Sequence, residues 1–167
     1  MIPRTTDRLV LRRLTLDDAP FILELLNTPG FLRFVGDRGV RTVEEARRFL
    51  AERYLPSYET NGFGLWRVER RDDGAPVGIC GLLRRAELDD VDLGFALLPR
   101  FEGNGYAGEA AAAALAEARE THGLARLAAI TDPANAGSIR VLQRLGFRLD
   151  GRIVLGGEEL CYFLLEL

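Results

Sequence analysis

Between an apolar run that ends at Pro99 and a long alanine-rich stretch, the chain carries Arg100-Phe101-Glu102-Gly103-Asn104-Gly105-Tyr106-Ala107. Strand, glycine loop and helix in that order form an anion cradle. Gly103 and Gly105 can take backbone angles closed to other residues, so that successive N–H groups converge at the positive end of the helix dipole. A diphosphate suits that chemistry, although a Gly-x-Gly pair alone also fits a plain turn. The helix that follows has no Gly-Lys-Ser/Thr, which excludes a P-loop, and the loop is expected to fall short of a dinucleotide fingerprint.

The remaining composition narrows the ligand. With 167 residues, 47% hydrophobic and 28% charged, the chain is long enough for one domain with a real core. A net charge of -3 and the lack of any Lys/Arg run argue against duplex nucleic acid. No window approaches a membrane span, and the N-terminus carries Arg4, Arg8, Arg12 and Arg13 without an apolar signal core. Cys80 and Cys161 lie in apolar runs without His neighbours, which signals neither a disulfide framework nor a metal site. A reducing cytoplasm is the expected setting, with no membrane or nucleic-acid partner and with homodimerisation left open.

The elements that must position the cradle follow from periodicity. Leu9 to Arg13 reads as a strand, Thr15 opens a helix that runs through Leu26 to the breaker Thr28-Pro29-Gly30, and a second helix runs from Thr42 to about Leu55. Phe31 to Gly39 reads as an aromatic loop between them. From Gly62 the period changes to two, and turns at Asp72-Asp73-Gly74 and Leu88-Asp89-Asp90 predict an antiparallel meander of three strands ending at Pro99. A helix from Gly105 to His122 carries Ala107, Ala110, Ala111, Ala114 and Ala118 on one stripe. Strand Leu127 to Thr131, helix Asn135 to Leu145 and strands Phe147 to Leu155 and Leu160 to Leu167 complete an α+β chain with a mixed sheet.

Two blocks together carry a resemblance. Arg100-x-x-Gly103-x-Gly105 after the strand Asp92 to Leu98 matches Arg/Gln-x-x-Gly-x-Gly/Ala, and Asn135-x-x-Ser138 with Leu145-Gly146-Phe147 matches Asn-x-x-Ser…Leu-Gly-Phe. With Thr6 to Leu14 and Asp17-Asp18-Ala19, the chain resembles the GNAT superfamily of N-acetyltransferases, in its RimJ/RimL-like branch, over nearly its whole length. The resemblance implies one domain over residues 1–167, with a mixed central sheet of about seven strands flanked by helices and splayed between the fourth and fifth. It implies acetyl-CoA as co-substrate, no metal, and an amine acceptor that is a protein N-terminus or a small molecule. A coenzyme A-binding module without catalysis is the alternative.

By the same resemblance, the N–H groups of Glu102, Gly103, Asn104, Gly105, Tyr106 and Ala107, beside Arg100, would hold the coenzyme pyrophosphate. The pantetheine would lie along the strand through Leu97 and Leu98, with Asn135 positioning it. Ser138 would face the sulfur, or else serve the first turn of its helix, where Asn135 is a good N-cap residue. Asp92 stands where a glutamate often occurs and could act as base, or be a solvated carboxylate after Asp89 and Asp90. Arg140, four residues from Arg144 on one face, could meet the phosphates or be a surface cation. The tyrosine and glutamate used by other branches fall at Leu142 and Ile130. His122 is assigned to the helix end, and Trp66, Phe31, Phe34 and Tyr54 to core packing.

Direct attack of an amine on a thioester needs a neutral amine, oxyanion donors and a stabilised leaving sulfur, but no nucleophilic side chain. A lysine amine costs about 4.6 kcal/mol to deprotonate at pH 7, while an α-amine is roughly one-tenth neutral. A site without a strong base therefore predicts an α-amine, and the acceptor itself stays open among protein N-termini, polyamines, amino acids and antibiotics.

Overall fold

The structure, a computed structural model, describes residues Met1–Leu167. Strand β2 (Leu9–Arg13) buries Leu9 and Leu11 and leaves Val10 and Arg12 partly exposed, the alternation of a sheet covered on one face. It pairs antiparallel with β3 (Leu65–Arg70) and, on its outer side, with β1 (Arg4–Thr5), a strand too short to leave a periodic signal. The expected meander is present: β3 turns at Asp72-Asp73-Gly74 into β4 (Pro76–Leu83), which pairs with β5 (Asp92–Leu97). It begins at Leu65 rather than Gly62.

The segment between β2 and β3 departs from expectation at two prolines. Thr15 caps a 3-10 turn over Leu16–Asp18 in a capping box with Asp18, which leads into α1 (Ala19–Leu26). Thr28-Pro29-Gly30 then starts a helix. The Thr28 Oγ1 accepts from the Phe31 N–H, and Pro29 sits at the first helical position, where no N–H is needed, so α2 (Pro29–Phe34) replaces the first part of the predicted aromatic loop. Thr42 caps α3 (Val43–Phe49) as expected, but a π-helical turn over Leu50–Tyr54 follows, and Pro56 opens α4 (Pro56–Asn61) instead of stopping the chain.

After β5, helix α5 (Tyr106–Glu120) buries Ala110, Ala111, Ala114 and Ala118 completely, and these small side chains let it lie close against β4 and β5. Strand β6 (Arg126–Thr131), helix α6 (Ala136–Arg144) and the hairpin β7 (Arg148–Leu155) and β8 (Glu158–Glu166) follow. All 8 strands join one sheet in the order β1-β2-β3-β4-β5-β6-β8-β7, one more than expected because of β1. One contiguous apolar cluster of 37 residues packs both faces, so the chain has a single core. No helix is long and apolar enough to cross a membrane.

The feature that makes the site is where the sheet parts. Strands β5 and β6 run parallel and share one register pair, Asp92 with Ala128, beside the bond from the Ala128 N–H to the Val91 carbonyl at 2.9 Å. Beyond it β6 pairs only with β8. Leaving out β1, this is the splay between the fourth and fifth strands that the resemblance implies.

Candidate active site

Backbone groups alternate in direction along a strand. Since the Val91 carbonyl points to β6 and the Leu98 N–H points to Val77 on β4, Leu93, Phe95 and Leu97 turn their N–H and C=O groups toward the open side. Leu93 sits at the one rung shared with β6, and past it Phe95 and Leu97 have no register partner there. A cavity of about 720 Å³ lies at this gap, lined by Asp92, Gly94 and Ala96 of β5, by Ser138 and Leu142 of α6, and by Phe31, Phe34 and Tyr54 from the segment between β2 and β3. Of the aromatic residues assigned to the core, Trp66 and Phe31 are buried in it and Tyr54 packs against it, and Phe31 and Tyr54 line the cavity as well, with Phe34.

Asp92 is not the solvated carboxylate that its neighbours Asp89 and Asp90 would predict. Its residue is 1% exposed, and Arg85 donates through Nε to Oδ1 at 3.2 Å and to Oδ2 at 3.3 Å. Burial dominates and pushes the carboxyl up to about 6, against the opposing pull of Arg85 and with a small push from Glu87. The group is therefore a stronger base than an ordinary aspartate, positioned at the rung where the sheet opens.

The first turn of α6 divides its work between two residues. The Asn135 Oδ1 accepts from the Ser138 N–H at 3.2 Å, so Asn135 is the N-cap. The Ser138 side chain is thus not needed for the cap, and its residue lines the cavity shared with Asp92. One turn further on, the buried Leu142 lines the same space, as does the partly buried Ile130 near the end of β6, so neither element offers a phenol or carboxylate at these positions. The phenol at the cavity is Tyr54, whose ring meets Phe49 edge-on at 4.9 Å and whose hydroxyl is pushed up to about 12 by burial.

The glycine loop has the conformation its sequence implies. Gly103 and Gly105 sit at φ +78° and +80°, the left-handed region that glycine reaches without strain. From Gly103 to Gly108 no backbone N–H donates within the chain, whereas the Glu102 N–H is committed to the Pro99 carbonyl at 3.1 Å. The free run thus begins one residue later than expected. Arg8 holds the loop in place: it donates to the Asn104 carbonyl at 2.9 Å and to Glu109 at 2.8 Å, with its guanidinium 4.5 Å from the centre of the Tyr106 ring. Gly108 completes a Gly-x-Gly-x-x-Gly spacing after all, so the fingerprint expectation fails on spacing. What distinguishes this site is the splay, which leaves one strand edge open beside the loop.

The other candidates scatter. Leu97 turns its backbone to the gap, but Leu98 is fully buried and bonded to β4. Arg100 pairs with Glu24 on α1. Arg140 and Arg144 are exposed on α6. His122 packs on the Phe63 ring, with Nε2 3.8 Å from Glu117, and does not line the cavity. Cys80 and Cys161 are buried free thiols.

Against known proteins, residues 8–148 match the family described as the acetyltransferase (GNAT) domain. The uncharacterized N-acetyltransferase YoaA of Bacillus subtilis is 27% identical over 147 residues, covering 87% of this chain and 82% of that protein. The crystal structure of an acetyltransferase from Agrobacterium tumefaciens superposes with a TM-score of 0.85 at 26% identity, over 100% of this chain and 95% of that one. RimL, a ribosomal L7/L12 alpha-N-protein acetyltransferase solved in complex with coenzyme A, also reaches 0.85, at 16% identity and over 100% and 98% of the two chains. That last likeness is one of fold.

Proposed function

The chain belongs to the GNAT acetyltransferases and is an acetyl-CoA-dependent N-acetyltransferase, and from that premise we propose that its preferred acceptor is an α-amine, with Asp92 as base and Ser138 as the group that meets the departing sulfur. The observation that carries the proposal is that a buried carboxylate at the last shared rung of β5 and β6 and the Ser138 side of α6 line one cavity.

The free N–H run from Gly103 to Gly108, at the start of a 15-residue helix, suits the coenzyme diphosphate, and the unpaired groups of Phe95 and Leu97 suit the pantetheine amides. Bound there, acetyl-CoA supplies an acyl carbon activated as a thioester. The Asp92 carboxylate takes the proton that the acceptor nitrogen loses as its bond to the acyl carbon forms. The Ser138 hydroxyl donates to the sulfur as the carbon–sulfur bond breaks.

The proton affinity of Asp92 bears on the acceptor. Moving a proton from an α-ammonium of pKa about 8 to a carboxylate at about 6 is uphill by about 3 kcal/mol, and from a lysine at about 10.4 by about 6 kcal/mol. Leu142 and Ile130 add no further base or acid, which favours the less basic acceptor. The fold shared with RimL, itself an alpha-N-protein acetyltransferase, supports the same branch. The buried free thiols fit the reducing cytoplasm we propose as its setting.

The test is coenzyme A release from acetyl-CoA across a panel of amines. Peptides with a free N-terminus should be turned over faster than the same peptides blocked at that end and carrying lysine. Equal or reversed rates overturn the α-amine assignment.

A further inference from the structure

We infer that the acceptor carries a carboxylate as well as its amine, and that this anion docks on Arg38 and Arg53 beside the Tyr54 hydroxyl. The inference rests on the acetyl-transfer reading above and adds the class of acceptor.

Arg38, in the loop after α2, and Arg53, in the π-helical turn, both line the cavity that holds Asp92. Among the arginines there, only Arg85 has a carboxylate partner, namely Asp92. The guanidinium of Arg38 lies 5.9 Å from the Phe31 ring centre and that of Arg53 lies 5.8 Å from the Phe49 ring centre, so aromatic faces hold both in position without neutralising them. Arg53 immediately precedes Tyr54 in the chain, and Arg38 and Arg53 share the lining both of this cavity and of a smaller one, which places the two arginines near each other. The Tyr54 hydroxyl makes no hydrogen bond in the chain, whereas that of Tyr58 contacts both the Leu14 N–H and the Leu65 carbonyl.

Arg38 and Arg53 are exposed residues at the cavity wall, so their guanidiniums are free to meet an anion that arrives from solvent. A carboxylate matches the forked geometry of arginine, whereas a cationic amine is repelled. The acidic residues at the cavity come from other segments: Glu87 before β5, Asp132 after β6, and Glu158 at the start of β8. The cavity thus has a basic side built by the segment between β2 and β3 and an acidic side built by the ends of strands. Arg85 joins them, neutralised by Asp92. A molecule with an ammonium at one end and a carboxylate at the other matches this division; a polyamine does not.

Two sources carry that chemistry, a free amino acid and a peptide that begins with an acidic residue. Coenzyme A release would be measured with aspartate against asparaginamide, and with two peptides that differ only in Asp or Asn at the first position. In at least one pair kcat/KM should favour the acid by about tenfold to a hundredfold, the range of a hydrogen-bonded charge pair. Preference confined to the first pair identifies a free amino acid, and preference in the second identifies a peptide. In Arg38→Gln/Arg53→Gln the ratio should fall to about one; if that double variant melts early, each single variant should lower the ratio in part. Turnover with equal kcat/KM inside both pairs overturns the inference and leaves acetyl transfer standing. If no amine is turned over at all, calorimetry with coenzyme A and either N-acetylaspartate or N-acetylasparaginamide decides. Tighter binding of the acid, lost in the arginine variants, upholds the anion site, and equal binding overturns it.

Discussion

The Nε of Arg85 stands 3.2 Å from Oδ1 of Asp92, yet the carboxyl is still pushed up to about 6. The reason is an imbalance of burial: the Asp92 side chain is 1% exposed, while that of Arg85 is 37% exposed and shares its charge with solvent. Desolvation outweighs the pairing, so the folded chain holds the Asp92 proton more tightly than the unfolded chain does.

A stability signature follows from the sign of that shift. Because the folded value is raised from 3.8, the stabilising contribution of protonated Asp92 is present at low pH and is lost as pH rises through about 6. Between pH 5 and 7.5 the protein should lose about 1 kcal/mol relative to Asp92→Asn, a widening gap of roughly 2–4 °C in melting temperature. A gap that stays constant over that range contradicts the raised value.

The glycine loop is tested at Gly105, whose φ of +80° a β-branched residue reaches only with strain. Gly105→Val should weaken acetyl-CoA binding by about tenfold or more, since strain of about 1–2 kcal/mol turns the N–H run away from its ligand. Calorimetry reads the affinity and circular dichroism the fold. Unchanged affinity in a folded variant speaks against the cradle.

Asn135 and Ser138 should separate cleanly. Asn135→Ala removes the cap acceptor and should cost about 1 kcal/mol of stability. Ser138→Ala leaves the cap intact, so its melting temperature should hold while kcat falls by tens-fold. Loss of stability with normal kcat in Ser138→Ala would return that residue to a structural role.

Much of this was legible in the sequence, and the failures share a cause. The meander, α5 and the hairpin β7–β8 announce themselves through period, turns and the alanine stripe. Pro29 and Pro56 look like stops because a proline that ends one element and one that begins a helix carry the same local signal; only packing decides between them. Asp92 follows Asp89 and Asp90 in the chain and differs from them by lying where the sheet covers it. Arg53 and Tyr54 share one turn, but Arg38 comes from the loop after α2, and nothing in the spacing reveals that it lines the same cavity. Arg8 lies inside the segment that carries the resemblance, but its hold on a loop nearly a hundred residues away exists only once β2 and α5 are packed together.

The most direct test of the account is the pH dependence of kcat/KM for a peptide with a free N-terminus, measured on the wild-type protein and on Asp92→Asn. The wild type should rise through an acid limb near pH 6 from Asp92, followed by a second rise near pH 8 as the α-amine loses its proton. Asp92→Asn should lose about a hundredfold or more in rate and should lose the limb near pH 6 while keeping the one near pH 8. An undiminished rate, or a limb near pH 6 that survives the substitution, would contradict the assignment of Asp92 as the base.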